Sequence, residues 1–348
     1  MASSRDEITL SELFRSLTGI LPESFTALKP HASDRRIYRL KGAGSSIVGV
    51  ANDNSSENKA FIYLARHFRG LSFPVPNVLC VSPDAGAYLL DDLGDITLWD
   101  ALVFTRKRTQ EEFPQDITRV YRKALTHLVS FQVVGARTLD FSRCYPEEVF
   151  SSSALHQDMV GFSSELVQRL LPSYDISSLN SDYTSLSTLI SNAPSNYFLY
   201  RDFQSRNIMV QGESLSFIDF QGGRRGPLQY DVVSLLYQSS AKIPSEHRDA
   251  LLEYYLSELG RVTDCDVSQF RSLYGLFIVA RMLQVLGVYG RQGLGAGKEY
   301  FRASIPQALH TLREQLNSGN LPSIFPELAR CVARLEEAQH KVLSNDKP

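Results

Sequence analysis

YRDFQSRNIMV, Tyr200 to Val210, followed by SFIDFQGG, Ser216 to Gly223, is the stretch on which the reading of this 348-residue chain turns. Both runs are apolar enough for short strands, and Gly212 between them permits the turn of a hairpin. Asp202 is followed five residues later by Asn207, and Asp219 closes the second run. The twelve-residue step from Asn207 to Asp219 suits a hairpin that brings its two ends together. Carboxylate and amide oxygens are the hard donors that Mg²⁺ selects. Phosphoryl transfer needs an acceptor hydroxyl held in line, a group that takes or orients its proton, and metal charge on the phosphates. Asp202 suits the proton-handling role; Asn207 and Asp219 suit the metal. Plain structural roles also exist, as turn former, loop cap and strand-end acid. The ordered combination, with each Asp set among apolar strand residues, favours chemistry.

Upstream, Ile8 to Thr18 has helical spacing, and Phe25–Lys29, Arg35–Lys41 and Ser45–Ala51 read as strands, the last two joined by the tight turn in KGAGS. SSENKAFIYLARHF follows as a helix, with Ser55 or Ser56 as N-cap and Phe61, Leu64, Ala65 and Phe68 on one face. PVPNVLCV and AYLLDDL supply two more strands. After Gly94 helices dominate, interrupted only by the hairpin. This predicts an α+β, protein-kinase-like, two-lobed fold: residues 1–94 a small sheet-rich lobe, residues 95–348 a larger helical lobe carrying the catalytic loop.

Composition narrows the class further. A chain that is 43% hydrophobic can bury a large core, and a formal charge of −2 argues against general nucleic-acid binding. The opening MASSRDEITL lacks the apolar run of a signal peptide. SLYGLFIVARMLQVLGVYG is interrupted by Arg281 and Gln284, which predicts a buried helix rather than a membrane span. Four scattered cysteines, without metal-ligand spacing, suit reduced thiols and a cytoplasmic protein.

YRDFQSRN followed by FIDFQGGRRGPLQYDVVSLLY resembles the catalytic segment of the aminoglycoside phosphotransferase and choline kinase superfamily. Within it the chain looks most like the bacterial anomeric kinases of N-acetylmuramic acid and N-acetylglucosamine used in cell-wall recycling. ASDRRIYRL, YLLDDLGDITLWDAL and ARMLQVLGVYGR extend the resemblance from about Ala32 to about Arg291. It implies ATP and Mg²⁺ as cofactors, Asp202 as catalytic base, and Asn207 and Asp219 as metal ligands.

The chain departs from the wider superfamily at one point. A lysine on the third strand, paired with a helix glutamate, is expected to position the α- and β-phosphates, but SSIVGVA holds none. Glu57 is the candidate glutamate, with a first-turn acid favoured by the helix dipole as its plain alternative. Arg35, Arg36 or Arg39 is the candidate replacement cation. Arg35 and Arg39 share a strand face that Arg36 does not. Ser33 and nearby loop amides are candidates for covering the phosphates, since no G-x-G-x-x-G is present.

Around the motif, Arg201 and Arg206 suit phosphate or an acidic substrate group, and Gln204 and Gln221 suit sugar hydroxyls. Arg281 and Gln284 border either the acceptor or a packed polar network. Asp231 reads as a helix N-cap and Trp99 as core. The expected acceptor is a sugar hydroxyl. The alternatives are a kinase of an aminoglycoside- or choline-like metabolite, and a nucleotide-binding pseudokinase. The residues name no protein partner.

Overall fold

The computed structural model describes residues 4–28 and 35–344; Ser33 lies outside the described residues. Two compact units emerge: Met1–Glu148 with Tyr200–Arg225, and Val149–Leu199 with Gly226–Pro348. The first carries the sheet and the second is built mainly of helices, giving the α+β, protein-kinase-like fold.

In the first unit β1 (Ser24–Ala27), β2 (Arg36–Gly42), β3 (Ser45–Ala51), β4 (Val78–Val81) and β5 (Ala87–Asp91) form one antiparallel sheet in the order β1-β2-β3-β5-β4. Gly42 pairs with Ser45, so Ala43 and Gly44 form a two-residue turn. Their φ values of 53° and 71° are the pair of positive angles that a type I′ hairpin requires.

The period-two alternation of strands decides what covers each face. Ala87 and Leu89 of β5 join Leu10 and Phe14 of α1 (Ser4–Thr18), with Tyr38, Leu40, Ile47 and Ala51, in one cluster. Tyr88 points the other way and stacks on Phe61 of α2 (Ser55–Gly70), ring centres 5.2 Å apart. Because both faces are covered, residues 87–90 of β5 form an unbroken apolar run. Burying each such side chain contributes about 1.5–3 kcal/mol. The cap of α2 is Asn54, not Ser55 or Ser56. The first helical residue is Ser55 itself, and the Asn54 oxygen accepts from Glu57 N at 3.1 Å.

The hairpin that carries Asn207 and Asp219 at its ends also belongs to this unit. Ile208–Gln211 pairs antiparallel with Ser214–Phe217, and Gly212 turns between them at φ 58°. Val210 N donates to Ile96 O at 2.8 Å, tying the hairpin to the loop before α3 (Leu98–Thr109).

In the second unit the long helix Val267–Tyr289 is buried along Phe277–Leu283. Val267–Gly295 is the only stretch among the described residues long and apolar enough to cross a membrane, and 78% of its most apolar window is buried in the protein. A Cβ on Gly287 would lie 2.8 Å from the Gly161 carbonyl carbon, so glycine lets this helix cross Ser152–Phe162 closely. Asp231 does not cap its helix. It is the third residue of Gln229–Leu236, fully buried, with Leu228 at the cap position. The helix begins two residues before Asp231, leaving it a first-turn acid.

Candidate active site

The two acid-bearing loops are held by aromatic rings that flank them in sequence. Tyr200 and Phe203 bracket Arg201 and Asp202; Phe217 and Phe220 bracket Ile218 and Asp219. All four rings are buried. Phe203 stacks on Phe217 at 5.5 Å, and Tyr200 meets Phe220 edge-on at 5.9 Å. Phe220 also stacks on Phe61 of α2 at 5.0 Å and 8°, so the Asp219 loop is braced against the helix that carries Glu57. The Tyr200 hydroxyl donates to Ile218 O at 2.7 Å, and Ile218 N donates to Asn207 O at 3.0 Å. These bonds bring the two loops side by side.

Such bracing is needed because both loops store strain. Arg201 and Asp219 have φ of 80° and 70°, the left-handed region that side chains with a Cβ avoid. Each such residue costs about 1–3 kcal/mol unless its surroundings hold it.

Asp219 is the hub of the site. Its Oδ2 accepts from Asn207 Nδ2 at 3.2 Å, and its Oδ1 accepts from Arg35 Nη2 at 3.1 Å and Gln221 Nε2 at 3.0 Å. Asn207 Nδ2 also donates to Asp202 O at 2.9 Å, which links all three motif residues. Burial pushes the Asp219 carboxyl above the ordinary value against the opposing charge of Arg35; the charges of Asp202 and Glu57 add to the rise. A carboxylate crowded by other acids is one that gains from a cation.

The donor chemistry fits Mg²⁺. Asn207 spends its amide hydrogens on Asp202 and Asp219, leaving its oxygen as the atom with capacity for a cation. Gln221 Oε1 is buried and has no protein partner, on an amide already touching Asp219. Among the described residues no three His, Cys, Asp or Glu side chains form a metal cage. Mg²⁺ does not need one, because it binds through one or two protein oxygens, water and phosphate.

Glu57, the candidate partner of the expected lysine, pairs with an arginine outside β3. Arg35, immediately before β2, reaches Glu57 Oε1 at 3.2 Å with the same Nη2 that meets Asp219. Glu57 Oε2 accepts from Asn52 Nδ2 at 3.1 Å. Burial disfavours the guanidinium charge, but the carboxylates of Asp219 and Glu57 outweigh it and raise its pKa. On the face that meets α1, β3 has no room for a side chain at its centre. A Cβ on Gly49 would lie 2.9 Å from Leu40 Cδ1 and 3.0 Å from Leu10 Cδ2.

The remaining candidates are engaged in other ways. Arg36 bonds Asp6 at 2.7 Å and Asp53 at 3.1 Å, in a group separate from Asp219. Arg39 pins the junction, 2.7 Å from Asp92 and 2.8 Å from Asp95. Gln221 turns toward Asp219. Arg201 and Gln204 lie half-buried beside Asp202. Arg206 lies over the Trp99 ring at 3.6 Å, so this half-buried tryptophan supports the loop of Asp202 and Asn207 instead of filling the core. Arg281 and Gln284 belong to the helical unit, where Arg281 Nη1 donates to Gln284 Oε1 at 2.8 Å and to Tyr230 Oη at 3.3 Å. The aromatic anchors Tyr200, Phe203 and Phe220 were missed as site residues; their flanking of each Asp was the available signal.

Residues 24–265 match the phosphotransferase enzyme family. An N-acetylmuramate/N-acetylglucosamine kinase of Pseudomonas aeruginosa is 24% identical over 87% of this chain and 90% of its own length. A kinase of the same description from Neisseria meningitidis is 27% identical over 69% of this chain and 70% of its own. Among solved structures, a choline kinase from Streptococcus pneumoniae superposes with a TM-score of 0.59 at 13% identity, covering 89% of this chain and all of the other.

Proposed function

The chain belongs to the phosphotransferase enzyme family, and from that premise we propose that it phosphorylates the anomeric hydroxyl of N-acetylmuramic acid, N-acetylglucosamine or a related amino sugar. At the coarser level it is an ATP-dependent small-molecule phosphotransferase. One observation carries the reading: Asp219 joins Asn207, Arg35 and Gln221, while Asn207 ties Asp202 to the same point.

Asp202 takes the acceptor proton. An anomeric hydroxyl is more acidic than an ordinary alcohol, so one carboxylate suffices to assist its loss. Asp219 and Asn207 would hold Mg²⁺, which would supply positive charge to the phosphate oxygens. Residues 1–94 bind the nucleotide through Arg35 and Glu57, and residues 95–348 supply the catalytic loop and the acceptor contacts. Gln204 and Arg206 are the acceptor contacts we favour, with Arg201 near the phosphates. Arg206, set by Trp99, suits a ring hydroxyl, an acetamido oxygen or a lactyl carboxylate. Arg and Gln around the motif argue against choline or an aminoglycoside, whose positive charge calls for carboxylates. The relatives named as amino-sugar kinases support the same choice. The missing β3 lysine favours a pseudokinase, but Arg35 offers the absent charge. Free cysteines and the burial of the long apolar helix support a cytoplasmic enzyme.

The test is incubation with ATP, Mg²⁺ and each of N-acetylmuramic acid, N-acetylglucosamine, choline and an aminoglycoside, locating new phosphate by phosphorus NMR. An acid-labile sugar 1-phosphate is the expected product. A 6-phosphate, or preference for a cationic acceptor, would overturn the acceptor assignment.

A further inference from the structure

Resting on the kinase reading, we infer that Arg35 is the resident counter-cation of the metal carboxylate, and that nucleotide phosphates must draw it away before a divalent ion can bind there. Three observations converge. Both oxygens of Asp219 face donors, and the one full positive charge among them is Arg35. A divalent ion on the same carboxylate meets that guanidinium as a like charge a few ångströms away, which opposes binding. Arg35 also has a second acid, Glu57, on the same nitrogen, so it can leave Asp219 without becoming an unpaired buried charge.

The choice of arginine matters. A guanidinium presents five donors in a fixed fork, so one side can stay on Glu57 while the other takes phosphate oxygens, its favoured bidentate partner. In this chain the face of β3 opposite α1 carries Val48 and Val50, so β3 supplies no cation of its own. Arg35 is therefore a positioning residue that couples the two ligands: nucleotide enters first and frees Asp219 for the metal.

The test titrates Mn²⁺, observed by electron paramagnetic resonance, into the full chain without nucleotide. Wild type binds Mn²⁺ weakly, and Arg35→Gln binds it about tenfold or more tightly, while its affinity for AMP-PNP in EDTA falls about tenfold. Arg35→Lys keeps the charge and stays within about threefold of wild type for Mn²⁺. Circular dichroism and urea unfolding of each variant, matched to wild type, exclude a gain from carboxylates exposed by misfolding. Unchanged or weaker Mn²⁺ binding by Arg35→Gln overturns the proposal. So does wild type that binds Mn²⁺ without nucleotide as tightly as Arg35→Gln does. Asp219→Asn separates the two levels: if it leaves Mn²⁺ binding intact, the metal site of the kinase reading is itself misplaced.

Discussion

Arg35 in the sheet-bearing unit and Arg281 in the helical unit are buried to similar depth, 8% and 4% exposed, and are held in opposite ways. Arg35 faces two carboxylates, one of them 184 residues away in sequence. Arg281 donates to Gln284, one helical turn along, and to the Tyr230 hydroxyl. A guanidinium between acids can exchange one anion for another, as phosphate binding demands. Arg281 meets an amide on its own helix and a phenol 51 residues away in sequence. Burial alone does not distinguish the two arginines; the acids beside Arg35 do.

The comparison can be broken from the Asp219 end first. Asp219→Ala should lower turnover on the order of 10³-fold or more, because charge on the β- and γ-phosphates loses its compensation. Steady-state rates with Mg²⁺ varied check this, and near-normal turnover would remove Asp219 from the metal site. Arg281→Met should act on the fold instead. Leaving the Tyr230 hydroxyl and Gln284 amide short of a partner costs about 1–3 kcal/mol in urea unfolding, with the KM for ATP unchanged. A selective rise in the acceptor KM without loss of stability would move Arg281 into the acceptor site.

Arg36→Ala gives the smallest effect on catalysis. The KM for ATP should stay within about twofold, while the fold loses about 1–2 kcal/mol at neutral pH as Asp6 loses its partner. Burial pushes the Asp6 carboxyl up, but hydrogen bonds from Arg36 and Tyr38 outweigh it and leave the pKa lowered. The sign follows: a depressed folded pKa stabilises above the unfolded value, and that contribution disappears as pH falls through the folded one. The stability gap between wild type and Arg36→Ala should therefore narrow below about pH 4. A gap that widens on acidification would contradict the pairing.

How legible each part was follows from how local its physics is. The sheet, α2 and the hairpin were readable because alternation and turn glycines are short-range signals. Asp202, Asn207 and Asp219 were readable because one hairpin carries all three. Arg35 was one of three candidate arginines, since its partners Glu57 and Asp219 come from a helix and a distant loop. Nothing in the residue types marks Arg201 or Asp219 as left-handed; neighbouring packing imposes that. Asn54 instead of Ser55 as the cap, and Asp231 inside its helix, are shifts of one or two residues where several side chains can serve. Trp99 looked like core because its apolar neighbours carry no hint of Arg206.

The central claim is that this hairpin performs phosphoryl transfer with Asp202 as its base. The most direct test is single-turnover phosphorylation by Asp202→Asn beside its Kd for Mg·ATP. The account predicts a rate reduced on the order of 10²-fold or more with nucleotide affinity within about threefold of wild type. A folded Asp202→Asn enzyme that transfers phosphate at a near-normal rate would contradict it.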